Sequence, residues 1–164
     1  FTLVYKFMEI SNEYIRGLVE GEGSFTFHTS RKNSDGARYK LPAFVISMNI
    51  RDKTLLEAVR NKLGLKNKIY YRIPQINIKN PKTGNTYLSG RQAILAVRDF
   101  RQLKDIIIPF FYKKLKGYKG TQFAEWLEKI GNEHGVSDRF KSLYRLYKFG
   151  VYDKNPKFTE KFRD

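Results

Sequence analysis

The chain has 164 residues, 41% of them apolar, and a net charge of +16. That apolar share is enough for a packed core and excludes a disordered chain, while the cation excess points to a polyanionic partner. With no cysteine and only His28 and His134 as histidines, a disulfide scaffold, a Cys-ligated zinc, a thiol nucleophile and a His-rich metal site are excluded.

Phe1–Ile10 is apolar but carries Lys6 and Glu9, and it does not read as a secretory signal. The longest apolar runs, such as Ile106–Tyr112, fall far short of the ~20 residues of a bilayer span. No membrane partner is expected. Absence of cysteine fits an intracellular protein of the cytoplasm or an organelle.

Ser11 reads as the cap of a helix that carries Tyr14, Ile15, Leu18 and Val19 on one face and stops at Gly21 and Gly23. Alternation follows: Phe25 and Phe27 point one way, and Ser24, Thr26, His28 and Ser30 the other. Asp35-Gly36 marks a hairpin turn, and the return strand runs over Arg38–Met48. Asp52 or Thr54 opens a second helix, with Leu55, Leu56, Val59 and Leu63 on its apolar side and Gly64 at its end. A second hairpin is expected, with Lys68–Ile78 (Tyr70, Tyr71, Ile73, Ile76, Ile78) joined through a turn over Asn80–Asn85 to Thr86–Val97. Asp99 caps a third helix, which is expected to end at Pro109.

The order helix, hairpin, helix, hairpin, helix predicts an α+β fold, one antiparallel sheet with helices on one face. Residues 1–131 form its core with an N-terminal extension. Residues 132–164 form a basic helical C-terminal extension. Within these later residues, Phe123, Trp126, Leu127 and Ile130 mark one amphipathic helix, Ser137 caps another, and Val151–Asp164 reads as a basic, aromatic and partly unstructured tail. The lysines and arginines of the extension either follow the flanks of a polyanionic partner or support self-association.

The chemistry concentrates at the first helix end. Gly17 has no side chain, so a second helix can approach closely there. Glu22 falls at the negative pole of the helix dipole, where a carboxylate calls for a cation. Two copies packed through Gly17 would bring two Glu22 carboxylates together and favour a divalent ion such as Mg²⁺. Taken alone, Glu20-Gly-Glu-Gly also reads as a plain acidic turn.

The fuller pattern is more specific. Ile15-Arg-Gly-Leu-Val-Glu-Gly-Glu-Gly23 resembles the LAGLIDADG motif position for position, with Ser24-Phe25 as its continuation. Pro42–Leu56 resembles that family's second strand and helix, Val97–Leu103 its third helix start, and Lys114–Lys119 its Pro-Leu-x-x-x-Lys segment with Lys114 in place of proline. The resemblance covers about residues 11–127 and implies a homing endonuclease with the αββαββα fold, plus the C-terminal helices noted above. It implies Glu22 as metal ligand, with the Gly21 carbonyl beside it, Glu20 as structural, and Mg²⁺ as cofactor, Mn²⁺ or Ca²⁺ substituting for binding. Lys119 maps beside the scissile phosphate, with Lys116 as the fallback register. The family's water-orienting polar position is Met48 here, and Asn49 or Ser47 is the substitute.

One motif is present, so a homodimer is implied, with Gly17, Leu18 and Glu20 at its interface. A two-fold protein reads a near-palindromic duplex. A β-ribbon fits the major groove of double-stranded DNA. The face opposite Phe25 and Phe27 is the candidate reader: Ser24, Thr26, His28, Ser30 and Lys32, then Arg38 and Lys40, and in the second hairpin Lys68, Tyr70, Arg72 and Arg98. Each alone also reads as an ordinary solvated strand position. On the second strand the same face carries Leu41, Ala43 and Val45, which implies thymine-methyl contacts or a register shifted by one. The competing function is a catalytically silent nucleic-acid binder on the same scaffold, an RNA maturase or transcription regulator.

Overall fold

A computed structural model of the chain describes residues 8–72, 78–87 and 90–163. Helix α1 (Asn12–Glu22) starts at Ser11, whose side chain accepts the Tyr14 N–H. Ile15 and Val19, one turn apart, are fully buried. The helix stops at Gly23, whose N–H closes on the Val19 carbonyl. A β-carbon at Gly23 would lie 2.9 Å from that carbonyl oxygen, so the turn into the first strand needs glycine.

Strand β1 (Gly23–Thr29) follows without a loop and pairs antiparallel with β2 (Lys40–Asn49), Phe25 opposite Phe44 and His28 opposite Leu41. A 3₁₀ turn at Ile50–Asp52 leads into α2 (Lys53–Leu63), which buries Leu56, Val59 and Leu63. Its C-cap Gly64 is left-handed at φ 74°, as the sequence expects.

Of the described residues of the second hairpin, β3 (Tyr70–Arg72) and β6 (Gln92–Val97) pair within the main sheet, and β4 (Ile78–Lys79) and β5 (Thr86–Tyr87) pair as a two-stranded ladder. Ile73 and Ile76 lie outside the described residues, as do residues 1–7 of the opening segment. The main sheet has the order β1-β2-β6-β3 and is antiparallel throughout.

Alternation along the paired strands places Phe25, Phe44, Ile46, Met48, Leu95 and Val97 on one face, against the helices. The Phe25 ring lies 4.9–5.6 Å from the rings of Phe44, Phe111, Phe123 and Trp126. Trp126 also donates its indole N–H to the Thr26 carbonyl at 2.8 Å, which occupies a backbone acceptor of an edge strand.

The third helical run corrects the expected stop at Pro109. It covers 100–111 (α3), starts at the Asp99 cap, and contains a π-helical stretch at Leu103–Ile107. The wide turn sends the Ile108 N–H to the Leu103 carbonyl, and Pro109 has no N–H. The carbonyls of Lys104 and Asp105 therefore lose the donors of a regular helix. The Tyr152 hydroxyl donates to the first at 2.9 Å, and Lys161 Nζ to the second at 3.1 Å.

Those donors come from the C-terminal residues. After α4 (Tyr118–Asn132) and α5 (Asp138–Lys148), the tail read as partly unstructured forms two short helices, α6 (Val151–Lys154) and α7 (Pro156–Thr159). Leu143, Tyr152 and Phe158 belong to the same buried cluster as the strands. The Phe162 carbonyl accepts from Asn12 Nδ2 and Arg16 Nη2 on α1. Among the described residues, no helix is long and apolar enough to cross a membrane.

Candidate functional site

The carboxyl end of α1 separates its two carboxylates by role. Glu20 turns toward the segment ahead of α4, where it accepts the backbone N–H groups of Lys116 at 2.9 Å and Gly117 at 3.1 and 3.0 Å. Glu22 is solvent-exposed and has no hydrogen bond or ion pair with any described residue. It projects from the last turn, where the carbonyls after Val19, Gly21 among them, have no following intrahelical donor.

Gly17 and Gly21 are exposed on the same helix, and a β-carbon built at either meets nothing within 4 Å. Tyr14, 48% exposed, and half-buried Leu18 complete this uncovered stripe at helical spacing. The surface has room for a second helix.

The donor set suits a hard divalent cation: one carboxylate and one backbone carbonyl, both oxygen. It is incomplete in one copy, since among the described residues no three His, Cys, Asp or Glu side chains form a metal-holding group. A second acidic helix end is what such an ion would require.

Lys119 stands in the first turn of α4, half-buried, and Lys116 is exposed in the segment held by Glu20. Glu20 thus ties the acidic helix end to the segment bearing both lysines. Met48 packs against the core. Asn49 uses its side-chain oxygen to accept the Arg51 N–H at 3.0 Å, a local cap on the 3₁₀ turn. The Ser47 hydroxyl donates to Gln92 Oε1 at 3.3 Å on the opposite face.

The sheet face away from the helices gathers most of the expected readers. Ser24, Thr26 and His28 occupy it on β1, and Tyr70 and Arg72 on β3. The register puts Leu41, Ala43 and Val45 on this face, opposite His28, Thr26 and Ser24, so no one-residue shift is needed. Arg98 Nη1 reaches within 3.5 Å of His28 Nδ1. Partial burial, and then the Arg98 charge, hold the His28 imidazole below its ordinary pKa.

Five expected readers sit elsewhere. Lys40 alternates with Phe44 onto the helix side and pairs with Glu133 at 2.8 Å. The Ser30 hydroxyl is used inside the hairpin, donating to the Arg31 carbonyl and accepting the Tyr39 N–H. Lys32 and Arg38 are exposed in the connection between β1 and β2. Lys68 is exposed just ahead of β3. Gln92, absent from the sequence-based set, holds the β6 end of this face; its position beside Arg72 depends on a strand register that composition does not reveal.

A family model described as LAGLIDADG endonuclease matches residues 15–130. Among solved structures, the I-LtrWI LAGLIDADG homing endonuclease bound to target DNA is 29% identical, with a TM-score of 0.54, over 81% of this chain and 41% of that one. I-SmaMI bound to uncleaved DNA target in the presence of calcium ions is 22% identical, with a TM-score of 0.53, over 86% and 44%. The homing endonuclease I-TnaI is 22% identical, with a TM-score of 0.53, over 95% of this chain and 100% of that one. The chain therefore spans less than half the length of the first two and matches the third along its full length. No curated protein matches it.

Proposed function

The chain belongs to the LAGLIDADG endonuclease family, and on that premise we propose that it is a divalent-metal-dependent homing endonuclease. It cuts both strands of a long near-palindromic DNA target as a homodimer. The observation that carries this reading is the division of labour at the α1 end: Glu20 is bound to the segment before Lys119, while Glu22 stays unpaired beside an uncovered glycine stripe. Each copy supplies one acidic helix end, and two copies packed along Gly17 and Leu18 complete the centre. A two-fold dimer reads a target with matching symmetry.

Glu22 and the Gly21 carbonyl would hold the cation, Mg²⁺ for cutting, with Mn²⁺ or Ca²⁺ substituting for binding. When bound, the ion supplies Lewis-acid polarisation of the phosphate and a more acidic water. Lys119, with Lys116 beside it in sequence, offsets the charge that grows on the phosphoryl oxygens. The open sheet face enters the major groove, where His28, Arg98, Tyr70 and Arg72 meet base edges or phosphates. Residues 132–164 act as a brace for the core, through Tyr152, Lys161 and Phe162.

A silent nucleic-acid binder is the second reading, and one observation favours it: Met48 faces the core, and Asn49 is spent on a local cap. One experiment separates the two. A duplex selected from a randomised pool in Ca²⁺ is transferred to Mg²⁺ and analysed by sedimentation and strand mapping. The nuclease reading expects two copies per duplex and one cut in each strand. A bound duplex left intact in Mg²⁺ and Mn²⁺ supports the silent binder, and one copy per duplex removes the homodimer.

A further inference from the structure

At one corner of the open face, three neighbouring strands contribute one polar side chain each: Ser47 from β2, Gln92 from β6 and Arg72 from β3. Arg72 Nη1 donates to Gln92 Oε1 at 3.2 Å, and the Ser47 hydroxyl donates to the same oxygen at 3.3 Å. The guanidinium has donors only, so the amide atom facing it is the oxygen. The opposite amide orientation would set NH₂ against guanidinium. Both acceptor positions of the Gln92 carbonyl are therefore occupied inside the protein, and its NH₂ group is what remains to offer.

A free glutamine reads adenine with both ends of its amide, accepting from N6 and donating to N7. Gln92 has lost the accepting end. Arg72 is exposed and adds further donors beside it. Between them, Gln92 and Arg72 present donors only. In the major groove, guanine presents two acceptors, N7 and O6, and adenine and cytosine each present a donor that neither Gln92 nor Arg72 can accept.

We propose that the Gln92–Arg72 corner is a specificity-determining site that reads guanine, with Ser47 as the positioning residue that sets the amide. The proposal rests on the DNA-target reading above and adds the base it selects. In a dimer the guanine recurs once in each half-site.

The test is selection from a randomised duplex pool by the full chain and by the Arg72→Ala, Gln92→Glu and Ser47→Ala variants. Thermal melting confirms that each variant stays folded. The wild type is expected to enrich guanine at one symmetric pair of positions. Arg72→Ala and Gln92→Glu lower that preference about tenfold or more, and leave the other positions unchanged. Ser47→Ala releases one acceptor position on Gln92 and admits adenine there. Adenine in the wild-type target at the position these variants alter overturns the proposal. So does an Arg72→Ala variant that weakens all duplexes alike with a smaller salt slope, the sign of a phosphate contact. An enriched target whose base preferences ignore all three variants overturns the guanine assignment alone. A wild-type pool with no enriched sequence removes the DNA-target reading and this proposal together.

Discussion

Glu20 and Gly117 lie 97 positions apart in the chain, and both carboxylate oxygens of Glu20 accept the Gly117 N–H, at 3.1 and 3.0 Å. The contact fastens the acidic end of α1 to the first turn of the helix that carries Lys119. One carboxylate of the motif is engaged by the segment ahead of α4, and the other, Glu22, is exposed to solvent.

Glu20→Ala removes that fastening. Charge-assisted hydrogen bonds to a partly exposed carboxylate contribute about 1 kcal/mol or somewhat more. Urea unfolding should show a loss of this size. Single-turnover cleavage should fall by more than DNA affinity does, because Lys119 loses its fixed place. Unchanged cleavage in a folded Glu20→Ala variant would show that the contact does not position the site.

Tyr152 and Lys161 close the π-helical turn of α3, and a buried carbonyl left without a donor costs about 1–3 kcal/mol. Tyr152→Phe keeps the ring and deletes the bond to the Lys104 carbonyl. Its unfolding free energy should drop within that range. A loss near zero would mean that solvent replaces the hydroxyl and that the C-terminal residues do not secure the turn.

The readable and unreadable parts of this fold divide along chain distance. Ser11, Asp99 and Ser137 act as caps within three residues of their partners, so their helices begin where composition places them. Gly64 ends α2 with a left-handed φ for an equally local reason. Alternation alone puts Phe25 and His28 on opposite faces. Pro109 misleads because the groups that tolerate it, Tyr152 and Lys161, lie more than 40 residues away. Lys40 misleads because its partner Glu133 belongs to the end of a helix 93 residues later. At the site, Glu22 and Glu20 can be assigned roles from the motif, whereas the Gln92 carbonyl is committed only through Arg72 and Ser47 on other strands.

Gly131 lets α4 and α5 meet. A β-carbon there would overlap the ring of Tyr144. Gly131→Ala should therefore cost about 1–3 kcal/mol through forced displacement, despite the better helix propensity of alanine. In a Tyr144→Ala background the same change should cost little or stabilise. Equal costs in both backgrounds, from a double-mutant cycle, would remove the steric account.

His28 supplies a pH dependence. Burial and then the Arg98 charge lower its pKa in the folded protein from the ordinary 6.5. The unfolded chain then takes up a proton first, so the stability tied to neutral His28 is present above about pH 6.5 and is lost as pH falls through it. His28→Gln should flatten the stability profile between about pH 7.5 and 5.5. A profile as steep as that of the wild type would assign the acid sensitivity to other groups.

The central claim is that Glu22, contributed by each of two copies, is the cation-binding carboxylate of the cutting reaction. Its most direct test is Glu22→Gln, which keeps the shape and removes the charge, measured on one selected duplex for binding in Ca²⁺-free buffer and for cutting in Mg²⁺. The expected result is affinity within about threefold of wild type and cutting reduced at least a hundredfold, of the order set by losing a principal electrostatic group in a catalytic centre. A Glu22→Gln protein that cuts both strands at the wild-type rate would contradict it.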